Sequence, residues 1–324
     1  MRTFIIHRLL NMIPLVMGIT FISFGIIQLA PGDYFSQLAL DPQTSPETIE
    51  YLRRTYGLDQ PVAMQYMKWL WAALRFDFGY SFSWRMPVID LIRERALNTM
   101  LLSVSSSAVA WLVAIPIGIY AAVRQYSLGD KVLSVLAFVG MSMPSFFAAF
   151  LLLYLAAVTG WFPIGGSTSA GYDALPLLGK LWDRVHHLIL PVAVLSTGGM
   201  AGLMRLMRGN LLEILKGEYI TTARSKGLRE VTVILKHAVR NALNPFITLF
   251  GYQLAHILSG AALVEIILSW PGLGSLMLDA VMSKDLYLVM GSLYIGAILL
   301  ILGNLVADLL LVVVDPRIRY EGAP

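Results

Sequence analysis

The densest run of side chains able to do polar chemistry lies late in the chain. It is Glu218-Tyr219-Ile220-Thr221-Thr222-Ala223-Arg224-Ser225-Lys226-Gly227-Leu228, and it continues to His237-Ala238-Val239-Arg240-Asn241. The segment is basic, amphipathic and broken by a glycine, and long apolar runs flank it. An apolar helix needs no such loop merely to turn around, so about three dozen patterned, charged residues imply a docking surface rather than a connector. Catalysis has no comparable support. The phosphate-binding pattern G-x-x-x-x-G-K-[ST] is missing, because Gly179-Lys180 is followed by Leu181 and lacks the earlier glycine. H-E-x-x-H and G-x-S-x-G are missing too, and the neighbours His186 and His187 would leave a helix on different faces, a poor metal pair. No catalytic residue, no metal site and no cofactor are expected in this chain.

The elements that carry this segment follow from composition. Hydrophobic residues make up 57% and charged residues 14% of 324, and mean hydropathy is +0.70, which points to several bilayer spans. About 20 apolar residues cross the hydrocarbon core, and on that measure six candidates stand out, near 9–30, 98–122, 132–158, 187–207, 246–268 and 289–313. The expected fold is all-α and polytopic. The organisation reads as a first helix (1–30), an external helical segment (31–96), a five-helix domain (97–313) containing a cytoplasmic loop (209–244), and a tail (314–324). Arg2 and Arg8 precede a run too long for a usual signal core, with no A-x-A-like cleavage site after it, so a retained first helix is expected. Cysteine is absent, which excludes disulfides and thiolate metal sites.

Orientation follows from the basic residues. With the N-terminus cytoplasmic, the inner segments collect Arg124, Lys131, Arg205, Arg208, Lys216, Arg224, Lys226, Arg229, Lys236, Arg240, Arg317 and Arg319, while the short outer loops hold Lys180, Arg184 and Lys284. The basic residues of the long segment after Pro31 are discounted, because long translocated loops escape the positive-inside rule. Both ends are therefore expected inside. In the external segment, Pro46 to Leu52 and Met64 to Leu74 read as two short helices around a turn at Gly57-Leu58-Asp59-Gln60-Pro61, with Tyr66, Trp69, Trp71 and Trp84 expected at the membrane interface.

Within the docking segment, Leu211, Leu212, Ile214, Leu215, Tyr219 and Ile220 give one apolar helical face. Gly227 permits a helix end, and Val231, Ile234, Leu235 and Ala238 begin a second face. Helix, turn, helix is the expected form. Spacing alone leaves two readings open, a hairpin lying on anionic headgroups or a surface for a soluble partner.

The stretch Glu218 to Leu228 with His237 to Ala242 resembles the EAA-type coupling loop of ABC importer permeases, in the form typical of the dipeptide and oligopeptide (peptide/nickel) permease family, first-permease type. Other strings agree in order: Pro31-Gly32-Asp33, Asp77-Phe78-Gly79-Tyr80-Ser81, Ser142-Met143-Pro144-Ser145-Phe146, Ser269-Trp270-Pro271-Gly272-Leu273-Gly274 and Asp315-Pro316-Arg317-Ile318-Arg319. The resemblance covers nearly the whole chain. It implies a type I ABC importer transmembrane fold in the inner membrane of a prokaryote. The implied partners are a second permease, two ATPase subunits that carry ATP and magnesium, an external binding protein and membrane lipid; no nucleic acid is implied. Glu218, Tyr219, Thr222, Ala223, Arg224, Lys226, Gly227, Leu228, His237, Arg240 and Asn241 would form the ATPase-coupling loop, the apolar face of the helix seating in an ATPase cleft with Arg224 and Lys226 at its rim. Thr221 and Thr222 depart from the family pattern, which puts a salt bridge from position 221 in doubt. Peptides are the cargo implied, with nickel chelates, glutathione or another small solute as alternatives.

Three further readings concern the spans. Thr248, Tyr252, His256 and Ser259 share one helical stripe, which lines the translocation path or bonds to another helix. Pro116, Pro144 and Pro191 each remove a backbone donor within or near a span, and Gly198, Gly199 and Gly202 would let a neighbouring helix approach closely. Glu265 and Asp308 are expected near interfaces, in pairing or capping roles. The contrasting functional class is a self-sufficient secondary transporter, against which stands the lack of self-similarity between the two halves.

Overall fold

The computed structural model describes residues 2–29, 31–39, 44–246, 249–250 and 262–314. Among them regular structure is helical, and strand-like pairing is limited to one antiparallel bridge between Tyr80 and Pro87. In chain order the helices are α1 (Arg2–Leu29), α2 (Tyr34–Leu38), α3 (Pro46–Thr55), α4 (Val62–Ala73), α5 (Val88–Val123), α6 (Leu128–Ser142) and α7 (Ser145–Thr159). They continue with α8 (Leu177–Ile214), α9 (Glu218–Ser225), α10 (Glu230–Thr232), α11 (Arg240–Ala242), α12 (Ala262–Ile267), α13 (Leu273–Met282) and α14 (Leu286–Val314). A π-helical stretch, Val233–Val239, joins α10 to α11.

Among the described residues, four stretches are long and apolar enough to cross a bilayer: Met12–Ser36, Val88–Val123, Leu177–Ile214 and Leu286–Val306. They fall on the expected windows 9–30, 98–122, 187–207 and 289–313. The window 132–158 is two helices, α6 and α7, bent by 106°. Pro144 causes the break: it has no N–H to give the helix, and it forces the residue before it out of the helical region, so Met143 sits at φ −83°, ψ 118°. Pro116 and Pro191, by contrast, remain inside unbroken α5 and α8. The sixth window, 246–268, lies mostly outside the described residues, as do Thr248, Tyr252, His256 and Ser259. The side chain of Asp308 also lies outside them.

The chain divides into two compact units. One comprises residues 1–99, 258–262 and 271–305, the other 100–257, 263–270 and 306–324. In the first unit α3 and α4 form a cap. Ser45 opens α3 by accepting a hydrogen bond from the Thr48 amide, with Pro46 in the first turn, where its missing donor costs nothing. Tyr66 and Trp69 of α4 are core residues, not interfacial ones, and the Tyr66 hydroxyl lies 3.0 Å from the Thr20 hydroxyl of α1. Full burial of such a ring is worth roughly 2–3 kcal/mol relative to leaving it in water. Trp71 and Trp84 stay exposed, as an interfacial role requires.

A buried carboxylate ties the cap unit together. Asp285 is inaccessible to solvent, accepts from Ser81 Oγ (2.6 Å), Ser83 N (3.0 Å) and Ser83 Oγ (3.0 Å) through one oxygen, and caps α14 by accepting from the Leu288 amide (3.2 Å). A charge taken out of water is tolerable here because hydrogen-bond donors replace its hydration.

In the second unit α6 and α7 pack against α8. Its core is rich in small residues, among them Ala110, Ala114, Ala121 and Ala201. One close approach is at Gly118 of α5, where an added Cβ would lie 2.7 Å from Met207 Cβ and 2.8 Å from the Met204 carbonyl oxygen; another is at Gly140 of α6, 2.8 Å from Thr197 Cγ2. Gly198, Gly199 and Gly202 show no such approach among the described residues: nothing there lies within 4 Å of a Cβ at Gly198 or Gly202, and Gly199 meets Ala110 Cβ at 4.0 Å. Glu265 is fully buried. At 38 residues α8 is about 57 Å long, nearly twice the hydrocarbon thickness, so it must project beyond the bilayer. Its C-terminal end leads directly into α9.

Candidate docking surface

The chain between α8 and α9 turns at Leu215-Lys216-Gly217, so the single apolar face expected from Leu211 to Ile220 is divided between two helices. Leu211 completes the core of α8, and Ile220 returns to that core from α9. Gly217 is the pivot: an added Cβ there would meet the Tyr219 ring at 3.0 Å and the Ile214 carbonyl oxygen at 3.1 Å.

α9 has two unlike sides. Ile220 and Ala223 are buried in the unit's own core, against a neighbourhood that includes Val233, Ala238 and Val239 of the π-helical stretch. Glu218, Tyr219, Thr221, Thr222, Arg224 and Ser225 are exposed, as is Lys226 at the helix end. The expectation that the apolar face of this helix seats in a partner is therefore corrected, since that face is occupied by the chain itself. The surface left for a partner is polar, with apolar additions from exposed Leu228, Val231 and Leu235.

Local contacts hold this surface in shape. Gly227 adopts φ +77°, the left-handed conformation that ends α9 and that a side chain would strain. Across that turn Arg224 makes a forked contact with Glu230, Nη2 to Oε1 at 2.7 Å and Nε to Oε2 at 3.2 Å. The hydrogen bond from Arg224 holds the Glu230 carboxyl below its ordinary range and, reciprocally, raises the guanidinium. Asn241 Nδ2 donates to the Tyr219 hydroxyl (3.1 Å) and to the His237 carbonyl (3.2 Å), which brings α9 and α11 together. Thr222 bonds back to the Glu218 carbonyl at 3.0 Å. Arg240 is exposed and His237 half-buried.

Beneath the surface lies a pair that sequence reading missed. Arg208 of α8 forks onto Asp130 of α6, Nε to Oδ1 and Nη2 to Oδ2, both 2.8 Å. Asp130 also accepts from the Tyr126 amide at 2.9 Å. Nothing in the spacing of two residues 78 positions apart could signal this contact.

His186 Nε2 lies 2.9 Å from the Trp161 carbonyl oxygen and His187 Nδ1 2.8 Å from that of Asp183, and among the described residues no cluster of three or more potential ligands could hold a metal ion.

Residues 114–320 match the family described as binding-protein-dependent transport system inner membrane component, and residues 1–103 match its N-terminal companion. The chain belongs to this family. It is a permease subunit of an ABC importer with the type I importer fold, and the family is one of transport components, not enzymes. The chain is 42% identical over 322 residues to the oligopeptide transport system permease protein AppB of Bacillus subtilis, covering 99% of this chain and 100% of the relative. It is 38% identical over 339 residues to the dipeptide transport system permease protein DppB of Escherichia coli K12, covering 99% and 100%. Among solved structures, an inward-facing MetNI methionine ABC transporter chain shares the fold with a TM-score of 0.55 at 15% identity, over 69% of this chain and 96% of that one. As permease subunits of this kind act with ATPases and a binding protein, this component has such partners in general terms.

Proposed function

We propose that this permease forms half of a peptide pathway and receives its energy through the exposed side of α9. The names of the two relatives motivate the substrate class: one is an oligopeptide and the other a dipeptide permease. In this reading a second permease of the same fold completes the pathway, two ATPase subunits dock beneath, and a binding protein delivers peptide from outside. Both termini lie in the cytoplasm, on the side of α9, consistent with the basic residues gathered there.

The observation that carries the coupling reading is the two-sidedness of α9. Because Ile220 and Ala223 are packed into the core around α8, a push on the exposed side cannot move α9 alone. A rigid lever follows, since packed interiors transmit strain instead of absorbing it. Closure of the ATPases would displace α9, and α8, joined to it by three residues, would carry that displacement into the bilayer.

Co-purification of the full chain from its native membrane tests this, with Gly227→Val as the paired variant. Valine is poorly tolerated at positive φ and would disturb the α9 turn. P-loop ATPases and a second permease should accompany the native chain, and the variant should lose the ATPases while keeping the permease. Labelled di- and oligopeptides should accumulate in cells with the native chain only. Purification of the chain alone under gentle extraction would overturn the coupling reading; intact coupling without peptide uptake would overturn the substrate.

A further inference from the structure

The segment that packs against α9 is wound in two registers. α10 and α11 are α-helical, and Val233–Val239 between them is π-helical, closing i→i+5 hydrogen bonds instead of i→i+4. Burial shows what the wider turn does. Val233, Ala238 and Ala242 are 0% and Phe246 1% exposed, and the first step along this series is five residues while the next two are four. In an α-helix a five-residue step carries a side chain about 140° round the axis, so Val233 and Ala238 could not share a face. Across a π turn they do.

An α register would fail chemically as well. Four residues after Val233 comes His237, and four later Asn241, so a plain α-helix would turn an imidazole and a carboxamide into the core that holds Ile220 and Ala223. The face expected from α-helical spacing, Val231, Ile234, Leu235 and Ala238, is accordingly not the buried one: Val231 is 67% and Leu235 56% exposed. The turn from Val233 to Ala238 thus holds one residue more than an α turn needs. That residue widens the outer side, where Leu235 and Lys236 are exposed and His237 is half-buried. Arg240 and Asn241 follow, both exposed, and Asn241 Nδ2 donates to the Tyr219 hydroxyl, so this strip is continuous with the exposed side of α9. The fold has no need of the extra residue. Without one of the outward residues, the four buried positions would fall at regular four-residue steps.

We propose that the extra residue serves a docked ATPase and not the fold: the π turn sets Leu235, Lys236 and His237 side by side as a second contact strip, and the surface that meets it is an acidic patch beside a small apolar one. Charge supports that partner. Lys226, Arg229, Lys236 and Arg240 are exposed cations of the hairpin, against the exposed acids Glu218 and Glu230, and Glu230 is already held by Arg224. Isolated π turns inside α-helices recur at functional sites for this kind of reason. The inference rests on the coupling reading of α9 and adds to it the element that sets the width of the surface.

The test compares the native chain with one in which Lys236 is deleted, each in the co-purified importer held in neutral detergent without anionic lipid. The deletion restores four-residue steps between the buried positions, so the melting point of the permease should equal or exceed the native one. Dissociation of ATPase from the immobilised permease should become about tenfold faster, the scale of losing one interface residue that matters, and hydrolysis should lose its stimulation by loaded binding protein. Lys236→Ala keeps the wide turn and removes only the charge, so it should lose less than the deletion on both readouts. A deletion that melts well below the native chain overturns the proposal, because the fold then needs the residue. Native retention and stimulation in the deletion overturn it too, as does a Lys236→Ala chain as damaged as the deletion, which leaves charge alone as the determinant. A defect seen only after phosphatidylglycerol is added back assigns the strip to lipid headgroups and overturns it as well. A native chain that retains no ATPase overturns the coupling reading, and this inference with it.

Discussion

Two forked arginine–carboxylate pairs in the second unit have nearly the same geometry and opposite surroundings. Arg208 and Asp130 meet at 2.8 Å with side chains 26% and 4% exposed. Arg224 and Glu230 meet at 2.7 Å with side chains 44% and 55% exposed. In the first pair the carboxylate has given up its water and depends on its partner; the second pair keeps water as an alternative partner at every moment. Buried pairs are costly to break from one side, whereas exposed ones contribute little and exchange freely. The molecule thus has a fixed joint at α6 and α8 and an exchangeable one on the proposed docking surface.

Breaking the fixed joint should have the largest effect. Arg208→Ala leaves Asp130 buried with only its hydrogen bonds from Tyr126 and the weaker one from Ser134 at 3.4 Å. A loss of about 3 kcal/mol is expected, the low end for a buried pair because part of Arg208 reaches solvent. Thermal unfolding of the full chain in detergent measures it. Asp130→Asn with Arg208→Gln should recover much of the loss, since no charge is then stranded. Unchanged stability in Arg208→Ala would remove the distinction between the two pairs.

The next effect concerns the anchor between joint and surface. Ile220→Ala removes a fully buried side chain from α9 and should cost about 2–4 kcal/mol if the cavity does not collapse. Its functional signature separates the lever from mere stability: the loosened α9 should still bind ATPases, but ATP hydrolysis should no longer be stimulated by loaded binding protein. Preserved stimulation together with a lowered melting point would mean that α9 needs no rigid seat.

How far the sequence reveals this arrangement depends on how local each signal is. The long apolar runs, the left-handed end at Gly227 and the capped start of α3 are written in neighbouring residues, and reading them in order yields the all-α fold. The bend at Pro144 is local chemistry too, yet a hydropathy window averages across it. What pairs across the fold is not legible: Arg208 with Asp130, Asp285 with Ser81 and Ser83, or the choice of Ile220 to face inward. Tyr66 and Trp69 illustrate the same point, because an aromatic beside a bilayer has two good destinations and only packing selects one. That the segment from Glu218 to Lys226 is largely exposed is legible from its polarity, but its facing is not, since an amphipathic helix looks the same whether its own chain or another covers the apolar side.

The smallest effect should come from the exchangeable joint, and it sharpens the comparison most. Glu230→Gln removes the charge opposite Arg224 without changing shape, and the melting point should stay within error of the native chain because both groups are solvated. The hydrogen bond lowers the folded-state carboxyl value, so the pairing contribution is present above the ordinary glutamate range and is lost as pH falls through the lowered value. At neutral pH the native pair is therefore fully formed and competes with any partner carboxylate for Arg224. Relieving that competition in Glu230→Gln should tighten ATPase retention at neutral pH, read as slower dissociation from the immobilised permease, and added salt should erase the difference. Arg224→Gln should weaken retention and make a further Glu230→Gln change silent. If instead Glu230→Gln weakens retention while Arg224→Gln does nothing, Glu230 is the residue the partner meets and Arg224 only positions it.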